Sequence, residues 1–212
     1  MAILSKKNLG SEKSYLQETQ MIGAALGGIM HIIFVFLFAH FDVHILFWFN
    51  LLFSVPVFIT AFLLSYRGHL KVSPLIGTVE ISTHQVLAVL LLGSETGFSL
   101  LLFCLVPVGM LFIKWRRAFF INSSISLILF LALSWFDLEQ YTRYPLPENA
   151  VRLIRLINSI GLFTIVGLII YYYISLNKKL YLKQKMTSDA WYNVNEELQA
   201  TLEILNRQNK QI

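Results

Sequence analysis

Residues 156–185 read LINSIGLFTIVGLIIYYYISL continued without a break by NKKLYLKQK. An apolar stretch of this length is enough to cross about 30 Å of hydrocarbon as a helix, which takes roughly 20 residues. The segment after it is basic, and from Asn177 to the last residue there is no Gly or Pro to oblige the helix to end. A membrane helix that runs on into a polar, charged helix is therefore the reading that organises the rest of the chain.

Working back from it, five more stretches have the same character, at roughly 21–40, 45–65, 74–93, 97–113 and 118–136, which with 156–176 makes six spans. The 97–113 stretch is short, and Lys114 at its end extends it by snorkelling. The chain is 56% hydrophobic and 14% charged, with a mean hydropathy of +0.64. A single soluble core of 212 residues cannot bury that much apolar surface, so lipid is the solvent for part of it. Backbone groups in the bilayer must be satisfied within each span, and the period-2 alternation of a barrel is missing, so the expected fold is an all-α integral membrane bundle. The first span is too long, and lacks the small-residue site, for a cleaved signal peptide.

Charge sets the expected orientation. Lys6, Lys7, Lys13, Arg67, Lys71, Lys114, Arg116, Arg117, Lys178, Lys179, Lys183, Lys185, Arg207 and Lys210 fall on one set of alternate connections and both termini. Only Arg143, Arg152 and Arg155 fall on the other. Fourteen against three places both termini in the cytoplasm. The net charge of +5 is then a topology signal, and the basic residues are not gathered into the single soluble face that nucleic acid would need. The lone Cys104 excludes an intramolecular disulfide and a cysteine zinc site, and reads as a small buried apolar residue.

The expected organisation has three regions: a polar cytoplasmic lead-in at 1–18, a six-helix transmembrane domain at 19–176, and a cytoplasmic signalling helix at 177–212. The loops at 41–44 and 94–96 make tight outer hairpins. The connection at 137–155, with Asp137, Glu139, Tyr141, Tyr144, Pro145, Pro147 and Glu148, is the long outer one. Pro147-Glu148 reads as a helix start, with a carboxylate at the positive end of the dipole. Arg152 and Arg155 in that helix suit interfacial anchoring, or contact with an anionic ligand or head group.

In the tail, an interval of seven picks out Trp191, Leu198, Leu205 and Ile212 as d positions and Asn195, Leu202 and Asn209 as a positions. Asn at a fixes register and dimeric state at some cost in stability. The stripe reads as the core of a weak parallel coiled coil, or else as a solvated or lipid-lying amphipathic helix. Its ending on a core position suggests that an output domain lies beyond it.

Ionisable residues inside spans are costly and mark candidate sites. His31 lies in the first span, and Glu80 and His84 lie at i,i+4 in the third. His31 is nine residues from His40 and His84 nine from Gly93, so both lie roughly 13 Å below the outer boundary. At matching depth they could ligate one haem b, bind a ligand or metal, or relay protons with Glu80; Glu80 and His84 could also simply bond each other or neighbouring Ser82, Thr83 and Gln85 and hold the bundle together. His40, Asp42 and His44 place three potential zinc or copper ligands within five residues, with Glu95 or Glu139 as a possible fourth, or they solvate a turn. Asn122, Ser123, Ser124, Ser126, Asn158, Ser159 and Gly161 read as helix-packing residues. No phosphate loop, GxSxG or HExxH occurs, and no histidine lies beyond position 84, so nothing in the chain marks it as an enzyme.

The run Glu80-Ile-Ser-Thr-His84-Gln85, then Leu92-Gly93, Gly97-Phe98, and a last span leading into Asn195-Glu196-Glu197-Leu198, resembles the six-span input modules of bacterial histidine kinases, nucleotide cyclases and diguanylate cyclases. Those modules carry an aromatic residue after the Gly that ends the third span, where this chain has Ser94. The resemblance implies an inner-membrane receptor that works as a homodimer and passes a stimulus to a cytoplasmic output domain. A small transporter or channel, and a haem-bearing membrane cytochrome using His31 and His84, are the competing expectations.

Overall fold

The computed structural model describes residues 2–106, 116–136 and 142–209; the side chains of 2–15 and 116–119 are outside the description. Among the described residues all regular structure is helical. Helix α1 spans Ala2–His40, α2 His44–Phe49, α3 Val55–Tyr66, α4 Val72–Leu92, α5 Arg116–Trp135 and α6 Glu148–Asn209. A π-helical turn, Asn50–Ser54, joins α2 to α3, and 3-10 turns occupy Ser94–Thr96 and Phe98–Cys104. Four stretches are long and apolar enough to cross a membrane: Leu16–His40, His44–Tyr66, Val72–Leu92 and one within α6; Phe120–Trp135 is apolar but shorter. The second half of the expected fourth span and the start of the loop after it, residues 107–115 including Lys114, lie outside the described residues, as do Asp137, Glu139, Tyr141, Lys210 and Ile212.

The segment after Gly97 departs from the expected α-helix. Phe98–Cys104 is 3-10, entered through Gly97 in the left-handed region at φ 76°. A 3-10 turn stacks residues i and i+3 and rises about 2.0 Å per residue against 1.5 Å for an α-helix. Two rows, Phe98/Leu101/Cys104 and Ser99/Leu102/Leu105, are accordingly buried, while Phe103 on the third is exposed. The tighter coil gives this short stretch more depth per residue. Its end is tied to α5 by Asn122, whose Nδ2 donates to the Leu105 carbonyl at 3.1 Å.

The chain divides into two units, 1–169 and 170–212. In the first, α1 lies against α2, the π turn and α3, α3 against α4, and α4 against the 3-10 segment. The core joins Phe34 and Phe38 of α1, Val43 and Leu46, Ala88, Val89 and Leu92 of α4, Phe98, Leu102 and Leu105, Leu133 of α5 and Ile154 of α6. Many large apolar side chains on the outer faces are exposed, Phe36 and Trp135 among them, as expected for a lipid-facing surface. The described part of the second unit is one helix, and every residue from 184 to 209 in it is exposed.

Two polar seams tie the first unit together at its ends. At one, Gln20 Nε2 donates to the Leu70 carbonyl at 2.9 Å and Gln17 Nε2 to that of Tyr66 at 2.7 Å. Ser65 and Ser73 share a 2.7 Å hydroxyl contact, and Ser73 Oγ donates to the Ala61 carbonyl. These bonds fasten α1 to the α3–α4 turn. At the other end α6 starts at Glu148 as its Pro-Glu pair predicts, the Pro147 carbonyl accepting from Ala150 and Val151. Asn158 Nδ2 donates to the Thr96 carbonyl at 2.9 Å, and Arg155 Nε to that of Glu95 at 2.6 Å.

Candidate functional site: a buried His-Asn-His-Glu cluster

Glu80 and His84 face inward one helical turn apart on α4, and His31 meets them from α1. All three are buried, as is Asn50, the first residue of the π turn. The π turn places Asn50 there. Pro56 has no N–H to donate to the Leu52 carbonyl, and instead the Val55 N–H reaches back to the Asn50 carbonyl. The extra residue in the turn lets the Asn50 side chain stand between the two imidazoles.

The hydrogen bonds fix the orientation of each group. Asn50 Nδ2 lies 2.7 Å from the Leu46 carbonyl, which only accepts, so this atom is the amide nitrogen. The same nitrogen is 3.1 Å from His84 Nε2, which therefore presents its lone pair. The Asn50 oxygen is 2.6 Å from His31 Nδ1, which therefore carries a hydrogen. His84, accepting on Nε2, is the neutral tautomer with its hydrogen on Nδ1, and that Nδ1 has no partner. His31 Nε2 stands 3.3 Å from Glu80 Oε2, an ion-pair distance without hydrogen-bond geometry, and Glu80 Oε1 is unpartnered. A carboxylate so deep in apolar surroundings is costly without a partner, and His31 is the group placed opposite it.

Aromatic rings close the cluster. Phe58 stacks on His31 at 5.0 Å between centroids, and Phe34 on His84 at 5.8 Å. Phe98 meets His84 edge-on at 5.6 Å, with Phe49 at 6.0 Å. Polar groups held in such a low-dielectric shell interact strongly, and their unsatisfied atoms are correspondingly costly.

The structure brings His31, Glu80 and His84 together, as the matched depths anticipated. It corrects the expected pairing, because Glu80 turns to His31 and His84 to Asn50 rather than to one another. It also fits poorly with haem b. The two imidazoles touch edge to face at 4.7 Å and share Asn50 as a bridge, which leaves no room for a porphyrin between them. His40, Asp42 and His44 are exposed around the α1–α2 turn, where Asp42 adopts φ 55°. Among the described residues no three His, Cys, Asp or Glu side chains are disposed to hold a metal ion, this trio included. Glu95, a possible fourth ligand, instead pairs with Arg155 at 3.4 Å, and Arg152 pairs with Glu148. Both arginines expected to anchor or bind head groups thus have carboxylate partners on the protein. Trp191, Asn195, Leu198, Leu202, Leu205 and Asn209 lie on the helix of the second unit, all exposed.

Asn50 is the member of the cluster that sequence reasoning did not single out. The available signal was Asn50 and Ser54 at i,i+4 in an otherwise apolar span, on one helical face and close to the depth of His31.

Comparison with family models, with curated proteins and with solved structures finds no match for this chain.

Proposed function

We propose that this chain is a membrane-embedded sensory input and dimerisation module. In this reading six spans lie in a bacterial inner membrane with both termini in the cytoplasm. A stimulus in the bundle is passed through α6 into a parallel coiled coil, and from there to a kinase or cyclase output domain in a longer protein.

The observation that carries the reading is the single uninterrupted helix α6, Glu148–Asn209. Its first turns are bonded through Arg155 and Asn158 to the turn that ends α4, the helix bearing Glu80 and His84. Its later residues carry the exposed 191/198/205 stripe punctuated by Asn195 and Asn209. The stretch from 170 to 209 would run for about 60 Å. Leu198, Leu202 and Leu205 are each about half exposed on it, a face that a second copy would cover. A carrier has no use for such a stripe, so the transport reading is second.

Single cysteines scanned from 188 to 212 in native membranes, with Cys104 replaced, test this. Disulfide crosslinks peaking at 191, 198, 205 and 212 support the dimeric receptor. Flat crosslinking together with transport activity retained in a chain truncated after residue 185 would replace it with a carrier.

A further inference from the structure

We propose that His84 is a proton-binding site, and that proton occupancy of His84 and the Asn50 bridge exclude each other. The inference rests on the sensory reading above and names its stimulus as a proton.

Donors and acceptors around Asn50 decide the matter. Asn50 donates from one nitrogen to both the Leu46 carbonyl and His84 Nε2. A proton added to His84 goes onto Nε2, because Nδ1 already carries one. The new N–H then faces an N–H of Asn50 at 3.1 Å, donor against donor. The amide must leave. Turning it over would present its oxygen to His84, but its nitrogen would then leave the Leu46 carbonyl and confront the hydrogen on His31 Nδ1. Each escape breaks bonds that currently hold the π turn to α1 and α4.

Among the described residues the titratable group in contact with His84 is His31 from α1, while Glu80, one turn away on the same helix as His84, meets His31. The α2 and π segments present Phe49 and Asn50, and the 3-10 segment presents Phe98, none of which titrates in this range. Glu80, at ion-pair distance from His31, brings the one carboxylate of the cluster, and its Oε1 has no partner at present. The phenylalanine shell admits no large ligand without opening, whereas a proton adds no volume. Proton uptake thus converts one packed arrangement of the second span into another, the kind of two-state element a sensor requires.

The test is 15N NMR of the full chain, histidine- and asparagine-labelled, in liposomes titrated from about pH 8 to about pH 5, the range in which imidazole switches operate. Amide hydrogen exchange at 50–54 is measured in parallel. Expected are a neutral His84 with its hydrogen on Nδ1 at high pH, and protonation of Nε2 and displacement of the Asn50 side-chain amide in one step with a shared midpoint. Exchange at 50–54 should rise by about tenfold or more over the same step. In His84→Gln, whose amide oxygen accepts from Asn50 at every pH, the acid response should vanish. A His84 that stays neutral throughout, or protonates without moving Asn50, overturns the proposal, as does an acid response that persists in His84→Gln. Should that variant fail to fold, the wild-type titration alone decides. Tail crosslinking with the expected periodicity but no proton uptake would leave the receptor reading standing and remove the proton as its stimulus.

Discussion

His31 Nε2 and Glu80 Oε2 meet 3.3 Å apart between α1 and α4, both buried, with the Phe58 ring stacked on His31. Desolvating two such groups costs several kcal/mol each, so the pair contributes little net stability while removal of one partner leaves an expensive orphan. His31→Leu or Glu80→Leu should each destabilise the bundle by about 3–5 kcal/mol. The double variant should cost less than either alone, retaining only the penalty of about 1–3 kcal/mol for the Asn50 oxygen left without its donor. Unfolding of the four proteins in detergent micelles gives the cycle. Additive single and double effects would show that the two residues do not act as a pair.

Gly27 of α1 faces the Phe58 ring so closely that a Cβ there would overlap Phe58 Cε1. Phe58 is buried and stacked on His31, so it has little freedom to retreat. Gly27→Ala should therefore destabilise by about 1–3 kcal/mol through overpacking, and Phe58→Leu should recover part of that loss. Gly28 supplies the control, since its added Cβ would only reach ordinary contact at 3.6 Å from Phe58. A thermal midpoint for Gly27→Ala at or above that of Gly28→Ala would contradict the close approach.

Several features were legible in the sequence for physical reasons that operate locally. Helical membrane segments come from apolar length, the start of α6 from Pro147-Glu148, and its continuation from the lack of any breaker after Asn177. The meeting of His31 with Glu80 and His84 was visible because depth in a bilayer is a one-dimensional coordinate that residue counting can estimate. Partner choice was not visible, because it depends on helix rotation. The π turn rotates Asn50 toward the imidazoles, and hydropathy carries no trace of one extra residue per turn. The 3-10 segment was hidden for a similar reason, as its i,i+3 burial is also compatible with an α-helix. Arg155 read as an anchor because the left-handed Gly97 turn that delivers Glu95 to it is a tertiary feature.

At the α6 docking point, burial outranks charge. Arg155 and Glu95 are exposed, and an exposed ion pair is worth about 0–1 kcal/mol. Asn158 is fully buried, and without it the Thr96 carbonyl loses a 2.9 Å donor, a loss of about 1–3 kcal/mol. Asn158→Leu should accordingly lower stability more than Arg155→Ala, and its effect should be insensitive to salt while that of Arg155→Ala shrinks as salt rises. Chemical unfolding at low and high ionic strength measures both. The reverse ranking would mean that the outer ion pair, and not Asn158, holds the start of α6.

Pro56 offers the most direct control over the cluster, although it touches none of the charged groups in it. The π turn accommodates the missing N–H of Pro56 by pairing the Val55 N–H with the Asn50 carbonyl. Pro56→Ala restores a donor for Leu52 and removes the reason for the extra residue, so α2 and α3 should anneal into one regular helix. Loss of one residue from the turn rotates everything upstream by about 100° relative to α3. Asn50 would then point away from the imidazoles, and His84 Nε2 would lose its donor. The NMR contact between the Asn50 amide protons and the His84 ring should disappear in Pro56→Ala, while the spans themselves remain helical. If the contact survives at wild-type strength, the π turn is held by Asn50 and its histidine partners, and the proline only tolerates it.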